Sequence, residues 1–283
     1  MNSIEIKRFL DEMTAVVIDA GKIAIENQDK VINIGKDIED IEDSRDERAS
    51  QRASAKTEID ERIQEILLKS VKNIIGTDVK IDAEEDTPSK TMFNNDSPIT
   101  VVIDPIDGTL NYINGEDQFS INIGLVEDGK MLAFIVYYPA KRQLYLLDET
   151  KTPFLITYNQ NDEIDNRLVI KASILNDPKS VYVNNRINSQ IIERLQDKFQ
   201  VVMDDGGVMW PEALLKTISG DYKAAIFKNP QTRDILFGAI VENLGGYMSD
   251  WQGNKINWPN GGRIPQIIFG FGELPQEIIE SLS

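Results

Sequence analysis

Residues 4 to 28 place Ile6, Phe9, Leu10, Met13, Val16, Val17, Ala20 and Ile23 at steps of three and four, which predicts a long amphipathic helix facing a core. From Thr57 the same period returns in Ile59, Ile63, Ile66, Leu67, Val71 and Ile74, and predicts a second long helix ending near Gly76. The helical period then disappears. The short run "VKIDA" and the β-branched run "VVID" read as buried strands, and the second should stop at Asp104-Pro105, because proline has no N–H to give a central ladder. The segment "FSINIGLVEDGKMLAFIVYYPAKRQLYLL" alternates apolar runs with turn residues and predicts an antiparallel meander. Beyond it the two periods interleave: a strand at "KSVYVNN", helices at "SQIIERLQDKF" and "PEALLKTIS", a strand at "YKAAIF", a helix over "TRDILFGAIVENLGG", a strand at "QIIFGF" and a short final helix. Interleaved helices and strands predict an α/β fold. With no internal repeat and no Gly/Ser-rich or Pro-rich linker, residues 1–283 read as a single unit. Any subdivision, into 1–150 and 151–283, would fall near residues 148 to 165.

Composition narrows the chemistry. The chain has no cysteine and no histidine, which excludes disulfides, thiolate or imidazole ligands, and every His-based general base. Any metal must be held by oxygen, favouring Mg²⁺, Mn²⁺ or Ca²⁺. A formal charge of −17 argues against nucleic acid as a partner, although a bound cation can reverse the local sign for a small phosphorylated substrate. No apolar run approaches the ~18 residues that span a bilayer, and the opening "MNSIEIKRFLDEM" is charged and amphipathic, so we expect a cytoplasmic chain with no membrane partner. From Lys36 to Arg48, "KDIEDIEDSRDER" has seven acids and three bases and reads as a solvated loop or frayed helix, with a lid or a metal-entry funnel as the functional alternative.

The acids elsewhere are placed more tellingly. Glu84 and Glu85 follow one predicted strand and Asp104 and Asp107 end another, so four carboxylates come from two strand ends, where open α/β sheets keep their sites. In "DPIDGT" Asp104 can bridge two ions while the Ile106 carbonyl and Asp107 reach to either side, and Gly108 and Thr109 open a short helix whose first amides can face an anion. Read alone, Asp-Gly-Thr is an ordinary capped turn, Glu84–Glu85 is loop charge, and Asp60 is an exposed helix position.

"DPIDGTLNY", with "AEED" before it, "TEID" (Thr57 to Asp60) earlier still and "TRDILFGAIVENLGGYMSD" later, resembles the inositol monophosphatase superfamily of Mg²⁺-dependent, lithium-sensitive phosphatases. The resemblance implies a layered αβαβα sandwich of the inositol monophosphatase and fructose-1,6-bisphosphatase type, and a homodimer. It implies that Glu84, Asp104 and the Ile106 carbonyl hold one Mg²⁺, that Asp104, Asp107 and Asp234 hold a second, and that a weaker third leans on Glu84, with Mn²⁺ as a substitute. It also implies that Thr109, paired with Asp60, activates the attacking water, and that the Gly108 and Thr109 amides bind phosphate.

The sequence departs from the family at the substrate side. Where inositol-cleaving members carry an acid seven positions before the metal aspartate, this chain has Phe227, followed by Lys228, and Arg233 replaces the tryptophan next to Asp234. Phe227 is either a surface for stacking a base or the end of an apolar strand, and Arg233 either meets a second phosphate or a neighbouring carboxylate. Glu85, Phe227 and Lys228 stand as substrate-side candidates, with Arg186, Trp210, Glu212 and Lys216 in the segment where the family builds its pocket. "GTLNY" resembles the inositol and fructose phosphatase branch, whereas Phe227-Lys228 suits a bisphosphate nucleotidase and "SDWQGNKINW" looks like the tail of some histidinol-phosphate phosphatases. The expectation is hydrolysis of a small phosphate monoester, an inositol or sugar phosphate before the other two. The spacing of Asp104 and Asp107 disfavours a haloacid dehalogenase, whose aspartates stand two apart. The rival of a different class is an inactive metal- or phosphate-binding protein.

Overall fold

The computed structural model describes residues 1–35, 51, 54–173, 178–203 and 210–283. The acidic segment from Lys36 to Arg48 lies outside the described residues. The described chain divides into two compact units, one holding the residues up to Ile170 together with Trp258–Gly262, the other Lys171–Asn257 and Arg263–Ser283.

In the first unit, helix α1 (Ser3–Asn27) starts at a capping box in which Asn2 Oδ1 accepts from the Glu5 N–H and Glu5 accepts from the Asn2 N–H. Helix α2 (Glu58–Ile75) starts at a second one, Thr57 with Asp60, and stops at Gly76, whose φ of 82° suits glycine. Both helices bury the predicted stripe, with Phe9, Met13, Val17, Ile63 and Leu67 in one core cluster. They pack on a seven-stranded sheet in sequential order: β1 (Lys80–Ala83), β2 (Ile99–Asp107), β3 (Ser120–Glu127), β4 (Lys130–Tyr138), β5 (Gln143–Leu147), β6 (Pro153–Tyr158) and β7 (Ile164–Val169). Only β1 and β2 pair in parallel; the rest is an antiparallel meander that continues two strands beyond the sequence expectation. Strand β2 also runs past Pro105. Asp104 faces Asn122 and Asp107 faces Ser120, so one extra residue is taken up in a bulge, and β1 stops pairing at Ile103, where the proline's missing N–H no longer costs a ladder bond.

The segment Trp258–Gly262 returns to this unit. The Trp258 N–H donates to the Gly129 carbonyl at 3.0 Å, and the Gly262 N–H to Asp82 Oδ2 at 2.7 Å. Gly261, at φ 83°, presses so close to Asp82 that a Cβ would lie 2.7 Å from its side chain.

The second unit has a five-stranded mixed sheet, ordered β11-β12-β10-β8-β9, from β8 (Ser180–Val183), β9 (Gln200–Met203), β10 (Ala224–Lys228), β11 (Tyr247–Ser249) and β12 (Gln266–Gly270). Helices α4 (Ser189–Gln196) and α7 (Gln276–Leu282) cover one face through Ile191, Leu195, Ile278 and Leu282. On the other face Trp210, the first residue of α5 (Trp210–Ile218), packs on Phe227. The long helix expected over residues 232–246 is instead a 3-10 turn (Thr232–Asp234) and a short helix α6 (Gly238–Asn243), with strand β11 starting after it. Among the described residues no helix is long and apolar enough to cross a membrane.

Candidate active site

Parallel pairing of β1 with β2 sets the first feature. Ala83 stands opposite Ile103, and the Glu84 N–H donates to the Ile103 carbonyl at 3.2 Å, so β1 ends with Glu84 next to the point where β2 carries on through Asp104. Asp104 is 4% exposed and Glu85 2%. The bulge after Asp104 carries Ile106 and Asp107 onward, and Asp107 accepts from Asn122 Nδ2 at 3.2 Å. Gly108, at φ 86°, then turns the chain into α3 (Thr109–Ile113).

Helix α2 brings Asp60 to the same unit, with no exposed surface. Its Oδ2 accepts the Thr57 N–H at 2.9 Å and the Thr57 hydroxyl at 2.6 Å, which fixes the rotamer. Its Oδ1 is then turned to Thr109, whose Oγ1 lies 3.2 Å away. The Thr109 hydroxyl also lies 2.8 Å from the Ile106 carbonyl, and its one proton can serve only one of these acceptors at a time. Burial is the main cause pushing the Asp60 carboxyl up from 3.8 to about 6; the Thr57 hydrogen bonds oppose it, and the charges of Glu84 and Glu85 add to it. A cation against these acids would relieve that repulsion.

Two residues the sequence reading passed over organise the acids. Gln64, buried one helical turn after Asp60, donates from Nε2 to the Glu85 carbonyl at 2.7 Å and accepts the Glu85 N–H at Oε1 at 2.8 Å. Lys56 places its ammonium 2.9 Å from Glu85 and 2.7 Å from Glu61. A polar residue inside the apolar stripe of α2 was the available signal for Gln64; Lys56 had none. Glu85, a substrate-side candidate, is thus engaged by a resident cation.

In the second unit Asp234 ends the 3-10 turn half-buried, with Oδ2 accepting the Gln231 N–H at 3.0 Å. Phe227 requires a correction as a stacking candidate. It has no exposed surface, and its ring packs against Tyr182, Trp210 and Phe269 at 5.6, 5.7 and 6.2 Å, so it is core. Lys228 is half-buried, its backbone clamped by Asn184 through two bonds of 3.0 Å. Lys216 reaches Tyr222 Oη at 3.5 Å, a packing role.

Among the described residues no three acidic side chains are gathered as a ready-made cation cage. The donor chemistry nevertheless suits a hard cation, since buried carboxylates and a carbonyl offer only oxygen, and a side-chain ammonium already stands against one of the acids.

A model of the inositol monophosphatase family matches residues 10–269. A fructose-1,6-bisphosphatase/inositol-1-monophosphatase of Thermotoga maritima is 25% identical over 229 residues, covering 79% of this chain and 80% of that protein. The 3'(2'),5'-bisphosphate nucleotidase CysQ of Salmonella typhimurium is 24% identical over 64% of this chain and 70% of its own length. Inositol monophosphatase 1 of Bos taurus is 30% identical over 52% of this chain and 53% of its own length. Among solved structures, the Thermotoga maritima IMPase superposes with a TM-score of 0.69 at 20% identity, covering 96% of both chains. An IMPase/NADP phosphatase solved with NADP and Ca²⁺ gives 0.74 at 17% identity, covering 98% of this chain and 95% of that one. The α/β fold expected from the sequence is the fold these structures share.

Proposed function

Because the chain belongs to the inositol monophosphatase family, we propose that it is a Mg²⁺-dependent phosphatase that hydrolyses a small phosphate monoester. The observation that carries this reading is the buried Asp60–Thr109 pair, 3.2 Å apart, in the same unit as the carboxylates that end β1 and β2. Glu84, Asp104, the Ile106 carbonyl and Asp107 would hold the ions. Bound Mg²⁺ supplies a water acidic enough to attack at neutral pH and positive charge for the leaving oxygen. Asp60 accepts the Thr109 hydroxyl proton, which turns a lone pair of Thr109 Oγ1 toward the attacking water and orients it. The amides of Gly108 and Thr109, ahead of the first turn of α3, would hold phosphate oxygens. Inositol and sugar phosphates are the favoured substrates, with nucleoside bisphosphates and histidinol phosphate as alternatives.

The test is phosphate release from inositol 1-phosphate, fructose 1,6-bisphosphate, 3′-phosphoadenosine 5′-phosphate, NADP and histidinol phosphate, with Mg²⁺ and with a chelator. Release that requires Mg²⁺ and favours one compound supports the proposal and names the substrate. No release from any compound, with Mg²⁺ still bound, would replace it with the binding-protein reading.

A further inference from the structure

Two residues three apart on a regular strand point to opposite faces of its sheet. Asp104 and Asp107 share a face instead, because the bulge in β2 takes up the odd residue: Asp104 pairs with Asn122 and Asp107 with Ser120, two alternate positions of β3. The residues between and beyond them, Ile121, Ile123 and Leu125, point the other way, into the core cluster shared with α1 and α2. The face that carries the two acids thus also carries Ser120 and Asn122, which are 0% and 1% exposed. A strand buried on both faces is ordinarily apolar on both, so a hydroxyl and an amide here call for a reason.

Their hydrogen bonds run in one direction, toward the acid. The Ser120 hydroxyl donates to Asn122 Oδ1 at 2.9 Å, and Asn122 Nδ2 donates to Asp107 Oδ2 at 3.2 Å. Turning the amide round would set its oxygen against a carboxylate oxygen, acceptor against acceptor, so the orientation is fixed by chemistry. Ser120 therefore sets the Asn122 amide, and Asn122 holds the plane of the Asp107 carboxylate. The backbone pairing that closes the bulge uses neither side chain. Burying these polar groups costs free energy that apolar residues would not, and what they add is a carboxylate held in one orientation.

We propose that Asn122, set by Ser120, is a positioning residue that selects Mg²⁺ over Ca²⁺ at Asp107. Asp107 as a cation ligand is part of the proposed function, and the selection rests on it. Mg²⁺ demands near-octahedral geometry at about 2.1 Å, which suits one oxygen of a carboxylate, whereas Ca²⁺ accepts about six to eight ligands in flexible geometry and readily takes both oxygens. A carboxylate tied to Asn122 through Oδ2 offers a cation a one-oxygen grip, and a two-oxygen grip has to break that bond. Without the amide the carboxylate can turn, which loses the geometry that favours Mg²⁺ and opens the one that favours Ca²⁺.

The test is calorimetry of Mg²⁺ and of Ca²⁺ binding to the full chain, for the wild type, Asp107→Asn, Asn122→Ala and Ser120→Ala, with circular dichroism and thermal unfolding to report whether each variant folds. In Asn122→Ala, Mg²⁺ binding is expected to weaken about tenfold, as it does when the outer partner of a ligand is lost, while Ca²⁺ binding moves less than about twofold. Ser120→Ala keeps the amide and loses what sets it, so the ratio of the two dissociation constants should shift the same way by less; this variant decides the outcome if Asn122→Ala does not fold. A merely structural amide would lower the melting temperature and weaken both ions alike. An unchanged ratio in the folded variants, with Asp107→Asn binding Mg²⁺ more weakly than the wild type, overturns the selection and leaves Asp107 a ligand. Mg²⁺ binding as tight in Asp107→Asn as in the wild type, or absent from the wild type, overturns the ligand role of Asp107 and the selection with it.

Discussion

Asp60 shows how one side chain can be fixed by local structure and tuned by its surroundings. One oxygen caps its own helix and the other faces Thr109, so the rotamer needed for helix α2 is the rotamer needed for a proton-accepting role. Its folded value of about 6 lies above the ordinary 3.8, so the folded, metal-free chain holds this proton more tightly than the unfolded chain. The stability that follows, at most ~3 kcal/mol, is complete below the unfolded value and is lost as pH rises through the folded one. Urea unfolding in chelator should therefore show the wild type weakening between about pH 4 and 7, and Asp60→Asn flattening that slope. Equal slopes would mean that Asp60 is not perturbed. Lys56 gives a second prediction at this scale. Its contact with Glu85, whose side chain is 3% exposed, is a nearly buried pair, whereas Glu61 at 46% adds little. Lys56→Met should cost about 3 kcal/mol, and adding Glu85→Gln should restore part of the loss. Additive losses in that double-mutant cycle would show that the pair is not coupled.

At the scale of elements, close approach decides two further outcomes. Gly21 lies where α1 crosses β4, and a Cβ there would come within 2.6 Å of the Tyr137 ring and 3.0 Å of Pro139. Alanine in a helix interior normally stabilises by about 1 kcal/mol. Overpacking at this crossing costs about 1–3 kcal/mol and should win, so Gly21→Ala is expected to lower the denaturation midpoint. A raised midpoint would show that the helix can shift off the sheet. Gln64→Leu leaves the buried Glu85 N–H and carbonyl without their partners and should cost about 2 kcal/mol, read by chemical denaturation. The same elements show what a sequence can tell. Helices α1 and α2 were legible to within a residue or two because apolar period and cap agree in each. The passage of β2 beyond Pro105 was not, because it depends on where β1 stops pairing. Strand β7 is exposed along its whole length and has no buried face to impose a pattern, and the 3-10 turn at Thr232–Asp234 breaks a helical period that tertiary packing overrides. At the site, the carboxylate motifs could be read directly, whereas the Gln64 clamp on Glu85 joins residues far apart in the chain.

For the whole molecule the governing quantity is the charge of −17, to which the strand-end acids contribute locally. Repulsion among acids weakens the folded state, and a cation bound only by that state reverses it, by about 2.7 kcal/mol at a hundred times its dissociation constant. Mg²⁺ should therefore raise the melting temperature of the wild type and leave Asp104→Asn nearly unmoved; an equal rise in both would point to general screening. The most direct test of the account is the Mg²⁺ dependence of phosphate release by the wild type and by Asp104→Asn on the best substrate of the panel. The account predicts release that saturates with Mg²⁺ in the wild type and falls by a factor on the order of a thousand or more in a folded Asp104→Asn. A variant that keeps wild-type turnover, or a wild type indifferent to Mg²⁺, would contradict it.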